Sequence, residues 1–274
     1  MVTLKRIFLV YTVSFHALLG FLFWEYNALR ETYQQLKKND RALMVKYQKI
    51  EEKSQKLEEK YQNGCIDPFS PPVEMELHYR RMLMYHKRSI RIVPDDALII
   101  IGDSIVQGLS VTAIAPNSIN YGIGTDTTFG LLQRIPVYMQ ALERAQAIVL
   151  IVGSNDFKFR SVHEALENYR KILSALPKHC KIVVSSVLPV DENARQKLAG
   201  RNLLIKEFNH GLKEIASAHT NVVFLDNTTY FDTDGDSFLD RKFHEGDGLH
   251  LNTKGNALLV RNIRQIITEY RDRS

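Results

Sequence analysis

Two runs of this chain, Ala97-Leu98-Ile99-Ile100-Ile101 and Ala147-Ile148-Val149-Leu150-Ile151-Val152, contain no polar side chain. A strand with one face in water alternates apolar and polar residues, so a run that is apolar throughout must be covered on both faces. Residues 181–188, stopped by Pro189, and 221–225 read as further strands, and 118–121 as a short one. Helical patterns lie between and after them, over 127–144 (kinked or broken near Pro136), 162–176, 193–218 and 253–270. Strands alternating with helices in this way form a parallel sheet between two helical layers. The expected fold class is α/β, a three-layer α/β/α domain with a parallel, flavodoxin-like sheet, over residues 96–274.

The chemistry-bearing residues cluster where these strands end. Gly102-Asp103-Ser104 follows the first run directly, at the carboxyl edge where open α/β sheets bind ligands. Asp247-Gly248-Leu249-His250 stands just before the closing helix. A serine hydroxyl becomes a useful nucleophile when a base takes its proton, and the base needs a third group to fix its tautomer. Ser104, His250 and Asp247 supply the three types. Taken alone, Ser104 reads equally as the N-cap of the next helix, and Asn155-Asp156 as an ordinary turn and cap.

Four blocks occur in order: Gly102-Asp103-Ser104, Asn120-Tyr121-Gly122-Ile123-Gly124-Thr125-Asp126-Thr127, Gly153-Ser154-Asn155-Asp156 and Asp247-Gly248-Leu249-His250. In this order and spacing the chain resembles the SGNH (GDSL-type) hydrolases over residues 96–270. The resemblance implies Ser104 as nucleophile, His250 as base and Asp247 as its orienting acid. It implies an oxyanion hole from the Ser104 backbone, the Gly124/Thr125 loop and the Asn155 side chain, with no metal and no cofactor. No G-x-S-x-G elbow is present. Where the family usually has glycine immediately before Asp-Thr, this chain has Thr125. A β-branched residue resists positive φ, which predicts an altered loop. Gly-Ile-Gly-Thr-Asp-Thr-Thr is similar to the branch holding platelet-activating-factor acetylhydrolases and bacterial acetyl-esterases, which implies an acetyl group.

The remaining features set the context. The stretch 7–24 is uncharged and follows Lys5 and Arg6, a length and flank that fit a membrane-spanning signal anchor with its amino end in the cytoplasm. A cleaved signal peptide is the alternative. Leu29, Leu36, Leu43, Ile50 and Leu57 recur every seven residues, with Tyr33, Tyr47 and Tyr61 offset by four from alternate members. This reads as a coiled-coil stalk that pairs two chains through residues 29–61, the alternative being a lone amphipathic helix. The expected organisation is an anchor over 1–26, a stalk over 27–63, a linker and lead-in helix over 64–95, and the hydrolase-like domain over 96–274.

Net charge is +5, but residues 28–63 carry nine Lys/Arg and six Asp/Glu, and 64–274 only +1. The charge of the globular part therefore gives no support for a nucleic-acid surface, and no nucleic-acid partner is expected. Asp232, Asp234 and Asp236 suggest calcium but lack the EF-hand order and read as a solvated loop. His244 and Glu245 read as rim residues. Phe129, Phe157 and Phe159 fit either a cleft or the core, and pairing of Cys65 with Cys180 is left open. The expected function is a single-pass inner-membrane serine esterase with its domain in the periplasm or outside the cell, acting on acyl esters of an envelope carbohydrate. A lysophospholipase or thioesterase, and a non-catalytic envelope adaptor, are the alternatives.

Overall fold

The structure, a computed structural model, describes residues 23–35, 37–38 and 73–271. The chain divides into two units, Met1–Ile66 and Asp67–Ser274. In the first, residues 23–35 and 37–38 are helical. Most of the expected anchor and stalk, and Cys65, lie outside the described residues. Among the described residues no helix is long and apolar enough to cross a membrane.

In the second unit five strands form one sheet: β1 (Leu98–Gly102), β2 (Ser118–Gly122), β3 (Ala147–Ile151), β4 (Lys181–Ser185) and β5 (Val222–Leu225). All pairs are parallel and the order is β2-β1-β3-β4-β5. The helices are α1 (Val73–Ser89), α2 (Ser104–Gln107), α3 (Thr128–Leu142), α4 (Val162–Ala175), α5 (Arg201–Ser217), α6 (Thr228–Phe231) and α7 (Thr253–Arg271).

Alternate strand residues feed two separate cores, which is why the strand runs are apolar throughout. Ile99, Ile101, Ile148 and Leu150 pack with Leu131 and Ile135 of α3, Ile172 of α4, and Phe208 and Leu212 of α5. Leu98, Ile100, Val149 and Ile151 pack with Val106, Phe231, and Leu259 and Ile263 of α7. The three-layer α/β/α class expected from the sequence is the one observed.

Several local expectations need correction. Pro136 stands inside α3 without ending it. The helix expected over 193–218 begins only at Arg201, after a short 3-10 turn (Gln196–Leu198) and Gly200 at φ 75°. β4 stops at Ser185, although the buried run continues to Val190. That continuation is held by side-chain amides on α5 instead of a strand. Asn209 exchanges two hydrogen bonds with the Val187 backbone, both at 2.8 Å. Asn202 does the same for Val190, at 2.9 and 2.8 Å. Each amide satisfies one buried N–H and one C=O, so the chain is free to leave the ladder.

The order places β1 and β3 side by side, with β2 on one side and β4 and β5 on the other. This is the topological switch point, where the connections diverge and leave a crevice at the carboxyl ends. Ser104 follows β1 and Asn155 follows β3.

Candidate active site

The nucleophile position is built by close packing. A Cβ on Gly102 would lie 2.0 Å from the Ile151 carbonyl oxygen, so only glycine lets β1 end this close to β3. Asp103 caps α2 by accepting the Ile105 N–H at 3.0 Å. The cap is therefore Asp103, not Ser104, and the Ser104 hydroxyl is available to another partner.

That partner is His250, whose Nε2 lies 3.2 Å from Ser104 Oγ. His250 Nδ1 lies 2.6 Å from Asp247 Oδ2. A carboxylate there requires the proton on Nδ1, which leaves Nε2 as the acceptor facing the serine. Asp247 Oδ1 accepts the Leu249 and His250 N–H groups at 3.0 and 2.8 Å. Partial burial opposes ionisation, but the His250 side chain and these two N–H bonds outweigh it and hold the Asp247 pKa down at about 2. Arg195 approaches Asp247 at 3.7 Å from an exposed position, where such a pair contributes little.

His244, expected at the rim, is buried beneath this loop. Its Nδ1 accepts the N–H groups of Gly246 and Gly248, both at 3.0 Å, and its Nε2 donates to Asp191 at 3.2 Å. Gly248, at φ 76°, also passes so close to the Asp191 carbonyl that a Cβ would lie 2.5 Å from it. Glu245 is exposed, as expected. Replacing His244 with alanine leaves two backbone donors without their acceptor. A loss of about 2–4 kcal/mol in unfolding free energy is expected, together with a fall in kcat as the Asp247–His250 turn loosens. Thermal melts and kinetics check this, and an unchanged melting point would show that the loop does not depend on His244.

The oxyanion side comes from three loops. Asn155, buried, donates through Nδ2 to the Asp126 carbonyl at 3.1 Å and keeps its second amide hydrogen for another acceptor. Among the described residues, the backbone N–H groups of Ser104 and Thr125 donate to no protein acceptor. The Gly124 N–H, also named from the sequence, is engaged by Gln107 Oε1 at 2.5 Å. Thr125 thus supplies the loop's unengaged donor. Thr125 adopts φ 68°, in the left-handed region that favours glycine. This costs on the order of 1–3 kcal/mol and persists because neighbouring contacts fix the loop.

Those contacts centre on residues that sequence reasoning missed. Arg134 of α3 is fully buried. It donates to Asp126 Oδ2 at 2.7 Å, the Tyr121 carbonyl at 2.8 Å, the Tyr138 hydroxyl at 2.5 Å and the Gly102 carbonyl at 2.9 Å. Tyr138 in turn meets His86 Nδ1 of α1 at 2.8 Å. Burial and the Arg134 charge lower the His86 pKa to about 4, so the ring is neutral and accepts the tyrosine proton. Asp156 accepts the N–H of Thr128 at 2.9 Å and its hydroxyl at 2.5 Å, and pairs with Arg160. The signal for Arg134 was a charge set within the apolar stripe Leu131, Ile135 and Tyr138 of an otherwise ordinary helix.

Asp103 gives the site a pH signature. Burial, joined by the Asp126 and Asp156 charges, raises its carboxyl to about 7 against the Ile105 N–H and Lys158. The same group in the unfolded chain titrates near about 3.9. Between those values the folded protein holds a proton that the unfolded chain has lost, so Asp103 makes stability fall as pH rises from about 4 to 7. Asp103→Asn keeps the cap oxygen and removes this slope. Its melting point is expected to gain on that of the wild type steadily from pH 4 to 8, and parallel melting curves would contradict the assignment.

Of the remaining candidates, Phe157 packs edge-on against Phe208 at the core, and Phe129 lies under Arg160 at 5.8 Å. Cys180 is a buried free thiol near the Leu142 and Ala145 carbonyls. Asp232, Asp234 and Asp240, not Asp236, bring carboxylate oxygens within 4.8 Å of one another. Asp240 is already paired with Lys242 at 2.7 Å, and Asp232 caps Gly235 at 2.9 Å.

A serine, a histidine and an aspartate at the switch point of a parallel sheet define a serine hydrolase on a three-layer α/β/α fold. The chain belongs to the GDSL-like lipase/acylhydrolase family, whose model matches residues 100–258. It is a serine ester hydrolase, and its substrates are acyl esters. Comparison with curated proteins gave no match. Among solved structures, a candidate platelet activating factor protein from Streptococcus pneumonia is 26% identical, with 70% of this chain and 94% of that one covered and a TM-score of 0.64. A GDSL-like lipase from Bacteroides thetaiotaomicron is 18% identical, with 70% and 99% covered and a TM-score of 0.58. A mutant of an acetylxylan esterase from Geobacillus stearothermophilus is 18% identical, with 62% and 93% covered and a TM-score of 0.51.

Proposed function

We propose that the protein removes a short acyl group, acetyl above all, from an envelope carbohydrate, and that residues 1–63 anchor and pair it at the inner membrane with the domain on the outer side. The observation that carries the acyl assignment is a cavity of ≈ 20 Å³ lined by Asp103, Ile105, Ile151, Val152, Ser154 and the 187–189 segment, with Leu249. Of these, Asp103 and Ile105 flank Ser104 in the chain, Ser154 precedes Asn155 and Leu249 precedes His250. The volume holds about one water-sized group, which suits a methyl and not an alkyl tail.

In this reading Ser104 Oγ attacks the acyl carbon while His250 Nε2 takes its proton. Asp247 holds the imidazolium that results. The oxyanion is met by the Ser104 and Thr125 N–H groups and the Asn155 amide. The ester C–O bond breaks as His250 returns the proton to the leaving alcohol. Water, deprotonated by His250, then attacks the acyl-serine ester, and the acid leaves as Ser104 regains its proton. His250 is 48% exposed on its side chain, so the leaving-group side is open to a bulky alcohol such as a saccharide. The acetylxylan esterase neighbour shows that this fold can carry deacetylation of a polysaccharide. For the anchor and the stalk the support is the uncharged stretch 7–24 and the heptad leucines. On the described helix, Leu29 and Tyr33 are 71% and 60% exposed, as an unpaired seam would be.

The test is chain-length preference of the full-length protein on p-nitrophenyl esters, followed by acetate release from isolated envelope polysaccharides. Acetate is expected to be cleaved at least about tenfold faster than octanoate, since a tail that cannot enter the cavity must be left in water. Faster octanoate cleavage would move the protein to the lysophospholipase or thioesterase class. Crosslinking in membranes tests the stalk, and a strictly monomeric product rejects it.

A further inference from the structure

The Asn155 amide is in use at both ends. Its Nδ2 reaches the Asp126 carbonyl, and its Oδ1 accepts a hydrogen bond from Lys158 Nζ at 2.9 Å. Lys158 closes the 3-10 turn (Asp156–Lys158) that follows Asn155, so its ammonium folds back over the residue three positions earlier. Among the described residues it makes no ion pair with a carboxylate. The charged groups that face it are Arg201, the first residue of α5, Lys197 in the 3-10 turn before that helix, and Asp103 beside the nucleophile. Loss of hydration and the two neighbouring cations push its pKa below the ordinary lysine range. A cation kept beside two others, aimed at a neutral amide, is costly for a merely structural contact. A glutamine could make the same hydrogen bond without the repulsion.

We propose that Lys158 is a positioning residue of the oxyanion hole, which fixes the Asn155 side chain and polarises its amide so that Nδ2–H becomes a stronger donor to the developing oxyanion. A bonded cation at Oδ1 draws electron density from the amide nitrogen and adds positive potential on the side where negative charge appears. The bound ester carries no such charge, so the effect falls on the transition state and not on ground-state binding. The orientation also follows: with Oδ1 tied to Lys158, the amide cannot flip and present its oxygen to the oxyanion.

The inference rests on the ester-hydrolase reading, and a Ser104→Ala control separates the two. The full-length protein is assayed with p-nitrophenyl acetate from pH 6 to 10.5, with the S104A rate subtracted. K158M is expected to lose about tenfold in kcat with KM within about twofold, a smaller loss than removal of a direct oxyanion donor. K158R should recover most of the loss. The wild-type kcat should decline on the alkaline side below the ordinary lysine range. That limb should vanish in K158M and move to higher pH in K158R, whose charge persists. Retention of kcat within twofold in K158M, an alkaline limb unchanged by K158M, or a rise in KM at constant kcat would each overturn the proposal. K158Q serves as a second variant should K158M melt early; it can keep a hydrogen bond to Asn155 Oδ1, so it should lose only the part of kcat that depends on the charge, with the alkaline limb absent. A wild type no faster than S104A would remove the hydrolase reading and this inference together, whereas an active wild type indifferent to K158M removes only the role of the lysine.

Discussion

Ser104→Ala is expected to lower kcat by on the order of 10⁶-fold, and His250→Ala by nearly as much, while the double variant is no worse than either single one. The reason is the relay itself. Ser104 Oγ and His250 Nε2 lie 3.2 Å apart, and each is useful only through the other. Asp247→Asn should cost less, about 10⁴-fold, because it spoils the tautomer and the stabilisation of the imidazolium but leaves both reacting groups in place. The oxyanion donors are untouched, so a residual rate above the uncatalysed reaction should survive in all of them. Steady-state kinetics on p-nitrophenyl acetate, with thermal melts to show that folding is intact, give the answer. Additive losses in the double variant would mean that the two side chains act separately, and the proposed mechanism would fail.

The second large effect is on stability. Arg134→Met should lower the unfolding free energy by about 3–5 kcal/mol, a drop in melting point on the order of 10 °C. The guanidinium is 1% exposed, as is its partner Asp126. Its removal strands a buried carboxylate and also leaves the Gly102 and Tyr121 carbonyls short of a donor. Burial already holds the Asp126 pKa up at about 6 against the pull of Arg134, so without the arginine the carboxyl takes a proton. The loop it supports carries Thr125, and its carbonyl receives Asn155, so kcat should fall as well. R134M/D126N removes the carboxyl that must take up this proton and should regain part of the stability but not the activity. If R134M melts like the wild type, the arginine is not what holds the loop at Thr125.

The layers, the parallel sheet and the three residues of the relay were legible because each leaves a local mark. Apolar runs, helical periods and four short blocks can be read within a few residues of themselves. The parts that support them leave no such mark. His244 finds Asp191 across 53 residues, and Arg134 reaches Gly102 across 32. Nothing in the spacing of either pair announces the contact. The helix expected from residue 193 failed for a different reason. Helix-forming residues such as Ala194, Arg195, Gln196 and Lys197 stand there, but tertiary packing of the loop against Gly248 outweighs weak local propensity. Thr125 shows the converse. Its intrinsic preference is overridden, because the bonds around Asp126 fix the backbone more strongly than one β-branched residue resists.

The amide clamps on α5 have a consequence for how this protein could change. In the short-acyl reading, one wall of the cavity is the segment 187–189. The sheet does not hold that wall; the side chains of Asn202 and Asn209 do. A strand in a ladder cannot shift without breaking register along its length, but a wall hung from two side chains can move when one of them is replaced. Acyl-chain range could therefore drift, in evolution or in the laboratory, through Asn202 and Asn209, which bond neither the relay nor the oxyanion donors. The limit on what the enzyme accepts would then be adjustable independently of how fast it reacts.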